Sequence, residues 1–266
     1  MRKGYHYHSC IVMEIMMCNL DEYIKYYPYD KMSEKIIDQV YKQINEGLTI
    51  MHNELNIIHG DIKPQNILIR GKNKQYEIYE DKMREIDIDS LNKLFLDNKK
   101  TCKFIGTELN KIKKNERITY DENIDICICD FSISRNNKEY PKIGKICTVM
   151  YRPIENILYD TYSYATDIWS FGCLLFELIC MIELFNVKKD DDNEILELHN
   201  KYLGEISNTR LHFSKKNIKK FKSETDLNYI KNHIRDNLSE EYFNKYYNLI
   251  KSMLDYNTKT RLTLLK

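Results

Sequence analysis

His59-Gly60-Asp61-Ile62-Lys63-Pro64-Gln65-Asn66-Ile67-Leu68 is the stretch whose reading decides the fold. An acid, a lysine two places on and an amide five places on lead into an apolar run of strand character. Each residue type has a task in phosphoryl transfer. A carboxylate accepts the proton of an attacking hydroxyl, a lysine steadies the γ-phosphate, and an amide oxygen binds a metal ion. One such loop can arise by chance, so the argument rests on whether its companions follow.

They follow in order. Asp130-Phe131-Ser132 comes after the strand-like run Ile124-Asp125-Ile126-Cys127-Ile128-Cys129, and Thr148-Val149-Met150-Tyr151-Arg152-Pro153-Ile154-Glu155 lies beyond it. Asp167-Ile168-Trp169-Ser170-Phe171-Gly172 opens a long apolar stretch, and Asp255 and Arg261 stand in Leu254-Asp255-Tyr256-Asn257-Thr258-Lys259-Thr260-Arg261. These five runs resemble the eukaryotic-type protein kinases. The first resembles the catalytic loop H-R-D-x-x-x-x-N, departing from it at Gly60. The second resembles D-F-G, with Ser132 in place of glycine, and the third the segment ending A-P-E. The fourth and fifth resemble the central helix of the large lobe and the end of the domain.

The resemblance implies an α+β fold, protein-kinase-like, with a mostly helical large lobe and only a remnant of the β-rich small lobe. Residues 1–19 would be the end of the small lobe and the hinge. Residues 20–266 would be the large lobe, with an insertion at about 71–123. Asp61 would be the catalytic base, Lys63 its partner toward the γ-phosphate, and Asn66 and Asp130 the ligands of Mg2+. Met13 would be the gatekeeper behind adenine, with Glu14 and Met16 presenting backbone groups to it. Asn19 would lie near the ribose, and Leu68 would form the floor beneath the base. ATP and Mg2+ are the implied cofactors. Lys63 and Thr148 match the pattern of kinases acting on serine and threonine rather than tyrosine. The resemblance also makes Asp167 a brace for the catalytic-loop backbone and pairs Glu155 with Arg261. Gly60 offers no side chain to receive a phosphate, so activity is expected not to depend on phosphorylation of the loop from Ser132 to Cys147.

Composition agrees with a folded domain. The 266 residues are 42% hydrophobic and 30% charged, enough for a substantial core. A net charge of +1 gives no field suited to nucleic acid or a membrane surface. The apolar run Phe171–Ile182 contains Glu177 and is too short to span a bilayer, so it reads as a buried helix. The N-terminus, with His6 and His8 among tyrosines, is not laid out like a signal peptide. The eight cysteines fall mostly within apolar runs without a C-x-x-C pair, which suits reduced core residues of an intracellular protein, cytoplasmic or nuclear.

Along the chain, Cys10–Met16 reads as a buried strand, Leu20–Ile24 as a helix start, and Ile36, Ile37, Val40, Ile44, Leu48 and Met51 as one face of a helix over residues 33–53. Asp61 and Asp130 stand 69 positions apart, and the charged, proline-free stretch 71–123 accounts for the excess as a solvated insertion. Beyond the central helix, the acidic Asp190-Asp191-Asp192-Asn193-Glu194 and the apolar Ile195-Leu196-Glu197-Leu198 resemble the extra segment of CMGC kinases. A non-arginine before Asp61, the spacer, and Phe221–Leu227 point to the SR-protein kinases. That likeness implies protein substrates with basic, serine-rich segments docking on the acidic stretch. It implies no direct nucleic-acid or membrane partner and is silent on oligomeric state.

Upstream of Cys10 neither a Gly-rich loop nor a strand lysine paired with a helix glutamate is legible. Two readings therefore stand side by side. One is a protein serine/threonine kinase; the other is a truncated or pseudokinase large lobe serving as a non-catalytic protein-binding module.

Overall fold

Helix α2, Glu34–Asn53, forms where the sequence spacing places it, and its buried residues include the six apolar ones of that face. The computed structural model describes residues 13–71, 77–78, 81, 118–120, 122–138, 143–207, 221 and 223–261. In chain order the described elements are β1 (Cys18–Asn19), α1 (Leu20–Lys25), α2, β2 (Ile57–Ile58), β3 (Ile67–Ile69), β4 (Ile126–Ile128) and β5 (Arg135–Asn136). There follow α3 (Ile154–Ile157), α4 (Ala165–Cys180), α5 (Asp192–Leu203), α6 (Tyr229–Asn237) and α7 (Glu240–Met253). Single 3-10 turns at Pro64–Asn66 and Val149–Tyr151 interrupt the loops.

The central element is α4. Every residue from Ala165 to Ile179 is buried, the apolar ones on all sides of the helix and Asp167 and Glu177 with them. It packs on α2, α6, α7 and the turn at Val149–Tyr151. Trp169, Phe171, Phe176 and Phe185 lie within this core and are fully buried. α2 lies also against β4, so one helix couples the large core to the small sheet.

Helix starts follow local chemistry. The Asn19 side chain accepts the amide of Glu22 at 2.8 Å, capping α1, and the Asp191 side chain accepts the amide of Asn193 at 2.8 Å, capping α5. The three-stranded sheet runs β1-β3-β4, antiparallel throughout, and its register aligns Asn19 with Leu68 and Leu68 with Cys127. A second ribbon pairs β2 with β5. Because β3 and β4 are direct neighbours, the ends of the 71–123 stretch meet at the sheet, where the Arg70 amide donates to the Asp125 carbonyl at 2.8 Å.

The expected strand at Cys10–Met16 needs correction for its described part. Residues 13–16 carry no strand, and Met13 and Ile15 are 77% and 53% exposed. β3 pairs instead with Cys18–Asn19. The far end of the 71–123 stretch also differs from a wholly solvated segment. Ile118 is buried, and the Tyr120 ring packs against Tyr23 and Tyr27 at 5.0 and 5.5 Å while its hydroxyl donates to the Tyr26 carbonyl. Most of the stretch lies outside the described residues, as do residues 1–12, Tyr140 and Lys222.

Candidate active site

The loop between β2 and β3 holds the expected catalytic residues, and buried Asp167 at the start of α4 holds it in shape. The Asp167 carboxylate accepts the amides of His59 and Gly60, both at 2.8 Å, and lies 2.9 Å from the His52 ring. The expected brace is present, with His52 as an additional partner. Gly60 adopts φ +85°, a conformation open to glycine and strained for other residues.

Around Asp61 the expected groups converge. One carboxylate oxygen accepts the amide and the hydroxyl of Thr148, at 2.9 and 2.8 Å. The other lies 2.7 Å from the Lys63 ammonium and accepts the Asn66 amide at 3.1 Å. Lys63 also donates to the Thr148 hydroxyl at 2.8 Å, closing a three-residue ring. Burial pushes the Asp61 carboxyl up, but Lys63 and the side chain and backbone of Thr148 outweigh it and hold it below the usual carboxylate range. Asp61 is therefore anionic at neutral pH and able to orient a hydroxyl.

Asn66 is buried, and its amide nitrogen donates to both the Asp61 carbonyl and carboxylate. Its side-chain oxygen is left as the acceptor a metal ion would use. Its backbone carbonyl accepts the Cys129 amide at 2.9 Å, which ties the loop to the end of β4 directly before Asp130. Asp130 is exposed and sits at φ +64°. Hydrogen bonds from the Ser132 side chain and backbone lower its carboxyl, and it senses the charges of Asp61 and Lys63. Asn66 and Asp130 together offer hard oxygen donors of the kind Mg2+ prefers. The strained backbone belongs to Asp130 and not to Ser132, so serine in place of glycine needs no unusual conformation there. The Phe131 ring meets the His59 ring edge-on, with centroids 5.1 Å apart.

The residues expected around a nucleotide base are partly gathered. Asn19 and Leu68 are aligned across the sheet, although the Asn19 side-chain oxygen is already engaged as a helix cap. Met16 is half-buried, Met13 is exposed, and the Glu14 carboxylate accepts a bond from Arg70 at 3.3 Å.

Away from Asp61, Arg261 is fully buried and grips Glu155 through two bonds of 2.7 and 3.1 Å. It also donates to the carbonyls of Ala165 and Asp255 and lies over the Trp169 ring. This is the expected pair. Removal of either partner would leave a buried charge uncompensated, costing about 3–5 kcal/mol.

A family model described as the protein kinase domain matches residues 3–108 and 112–266. The chain belongs to the protein kinase domain family. Among curated relatives, the serine/threonine-protein kinase SRPK of Physarum polycephalum is 27% identical, over 84% of this chain and 54% of its own length. The serine/threonine-protein kinase Doa of Drosophila melanogaster is 25% identical over 98% of this chain and 29% of its own length. For the human dual specificity protein kinase CLK4 the figures are 24%, 98% and 49%. The kinase domain thus spans about half the length of these relatives or less. Such relatives agree with the CMGC-like layout.

Sequence reasoning missed one cluster. Asp190 and Asp192, expected as open docking acids, are engaged within the chain. Arg152 donates to Asp190 at 2.7 Å and to Asp192 at 3.3 Å, and Lys145 lies 3.2 and 3.1 Å from the same two carboxylates. Arg152 holds the Asp190 carboxyl down at about 2, with Lys145 assisting. The acidic run and the arginine were both visible in the sequence. Their partnership, across 38 positions, was not. Among the described residues no helix is long and apolar enough to cross a membrane.

Proposed function

We propose that this domain is a protein serine/threonine kinase, transferring the γ-phosphate of ATP to a protein hydroxyl. The observation that carries the reading is the closed ring of Asp61, Lys63 and Thr148, with Asn66 turned so that its oxygen stays available. Asp61 orients the substrate hydroxyl and accepts its proton, a contribution of roughly 10²- to 10⁴-fold. Lys63 holds Asp61 in place and supplies positive charge where the γ-phosphate would lie. Asn66 and Asp130 would hold Mg2+, which when bound offsets charge on the phosphates. Leu68 and Asn19 would line the adenosine side, with Met13, Glu14 and Met16 as hinge. Residues 1–19 would complete the small-lobe side and residues 20–266 the large lobe, carrying the 71–123 insertion.

The substrates in this reading are proteins with basic, serine-rich segments. Exposed Glu194 is the carboxylate of the acidic run that would meet them. An intracellular setting, cytoplasmic or nuclear, goes with such substrates.

The test is phosphotransfer by the full chain with Mg2+ and ATP on mixed peptides, including Arg-Ser repeats. Turnover on serine and threonine is expected. Asp61→Asn should lower turnover at least 10²-fold while calorimetric ATP binding stays unchanged. Phosphorylation confined to tyrosine would contradict the substrate class. ATP binding by the wild type without any turnover would favour the non-catalytic binding module.

A further inference from the structure

Arg152 is a cation with little access to solvent. Its side chain is 5% exposed, and its donors point two ways. Toward the loop before Thr148 it donates to the Cys147 carbonyl at 2.9 Å and the Ile146 carbonyl at 3.2 Å. Toward the start of α5 it meets Asp190 through both terminal nitrogens, at 2.7 and 3.3 Å, and Asp192 at 3.3 Å. Cys147 is buried at φ +67°, a strained conformation for a side-chain-bearing residue that surrounding contacts must hold. The next residue is Thr148, whose amide and hydroxyl both bind Asp61.

We infer that Asp190 and Asp192 are positioning residues of the phosphotransfer site, acting through Arg152 to hold the Ile146–Cys147 backbone and so to present Thr148 to Asp61. The inference rests on the kinase reading for its effect on turnover, but not for its effect on structure. A guanidinium suits this place because its planar fork can serve carbonyls on one side and a carboxylate on the other at once. Without the two carboxylates its charge would stand nearly buried and uncompensated, and the fork would lose its orientation. Lys145, exposed, bridges the same carboxylates but makes no bond to the Cys147 backbone, so Arg152 is the link.

The deciding experiment is backbone hydrogen exchange on the full chain without nucleotide, comparing wild type with the double variant Asp190→Asn, Asp192→Asn. The Thr148 amide should exchange at least about tenfold faster in the variant while α4 amides stay protected. In the phosphotransfer assay kcat should fall by a similar factor with KM for ATP unchanged. Glu205→Gln, an exposed carboxylate beyond α5, should alter neither. Thr148 exchange equal to wild type would overturn the inference, as would an equal acceleration in Glu205→Gln. Should the double variant lose protection through α4 as well, Asp190→Asn alone decides by the same criteria, since that carboxylate is half exposed. Because exchange is read without turnover, absence of phosphotransfer would count against the kinase reading and leave the brace to be judged on its own.

Discussion

Gly60 shows how backbone geometry limits which residue a position accepts. Its φ of +85° is permitted to glycine but strained for residues with a side chain, so an arginine introduced at this position would enter strained, with its Cβ 3.4 Å from the Ile146 side chain. Glu177 carries the residue-scale prediction. It is 6% exposed, and its carboxylate accepts the Tyr151 hydroxyl at 2.5 Å. Burial, opposed by that bond and reinforced by Glu183 and Asp21, pushes its carboxyl up to about 7 from 4.5. The native state therefore retains a proton that the unfolded chain releases, so stability from this group is present at low pH and falls as pH rises from about 4.5 to about 7. The loss would be up to about 3 kcal/mol. Glu177→Gln keeps an acceptor for Tyr151 and should remove that slope in denaturant unfolding at pH 5 and pH 8. A slope identical to wild type would locate its origin elsewhere.

Between elements, the contact of α4 with α7 depends on having no side chain at Gly172. A Cβ there would stand 2.9 Å from the Met253 Cβ, an atom fixed to its own backbone and unable to swing aside. Alanine would gain about 1 kcal/mol of helix propensity but force the helices apart at a cost of about 1–3 kcal/mol. The clash should win, so Gly172→Ala is expected to lower the melting temperature, and a rise would mean that the helices separate without strain. The N-terminal end of the same helix carries Asp167 and receives Arg261 at the Ala165 carbonyl.

Across the whole molecule, the long stretch between β3 and β4 returns to the core before β4 begins. Ile118 is buried, and Tyr120 joins the rings of Tyr23 and Tyr27 beside α1. Tyr120→Ala should therefore destabilise the entire domain, by roughly 2 kcal/mol for a half-buried ring. Equilibrium unfolding would measure it, and an unchanged midpoint would place Tyr120 outside the cooperative core. α2 carries the effect onward, since it contacts both the sheet and α4.

The sequence by itself determined α2, the buried α4, the order of the loop motifs, and Asp61, Lys63, Asn66 and Asp130 as one candidate set. α2 and α4 rest on helix-turn spacing and periodicity, and Asp61, Lys63 and Asn66 on one short loop, all of which the chain expresses locally, whereas Asp130, 69 positions on, joined them through the resemblance. Tertiary structure alone decided that Met13 and Ile15 are exposed, that β3 pairs with Cys18–Asn19, and that Asp190 and Asp192 serve Arg152 and Lys145 instead of standing open. A run of acids looks the same in sequence whether it faces solvent or a buried guanidinium. Which of the two it meets depends on where the fold sets α5 against the loop before Thr148, and no local pattern encodes that distance.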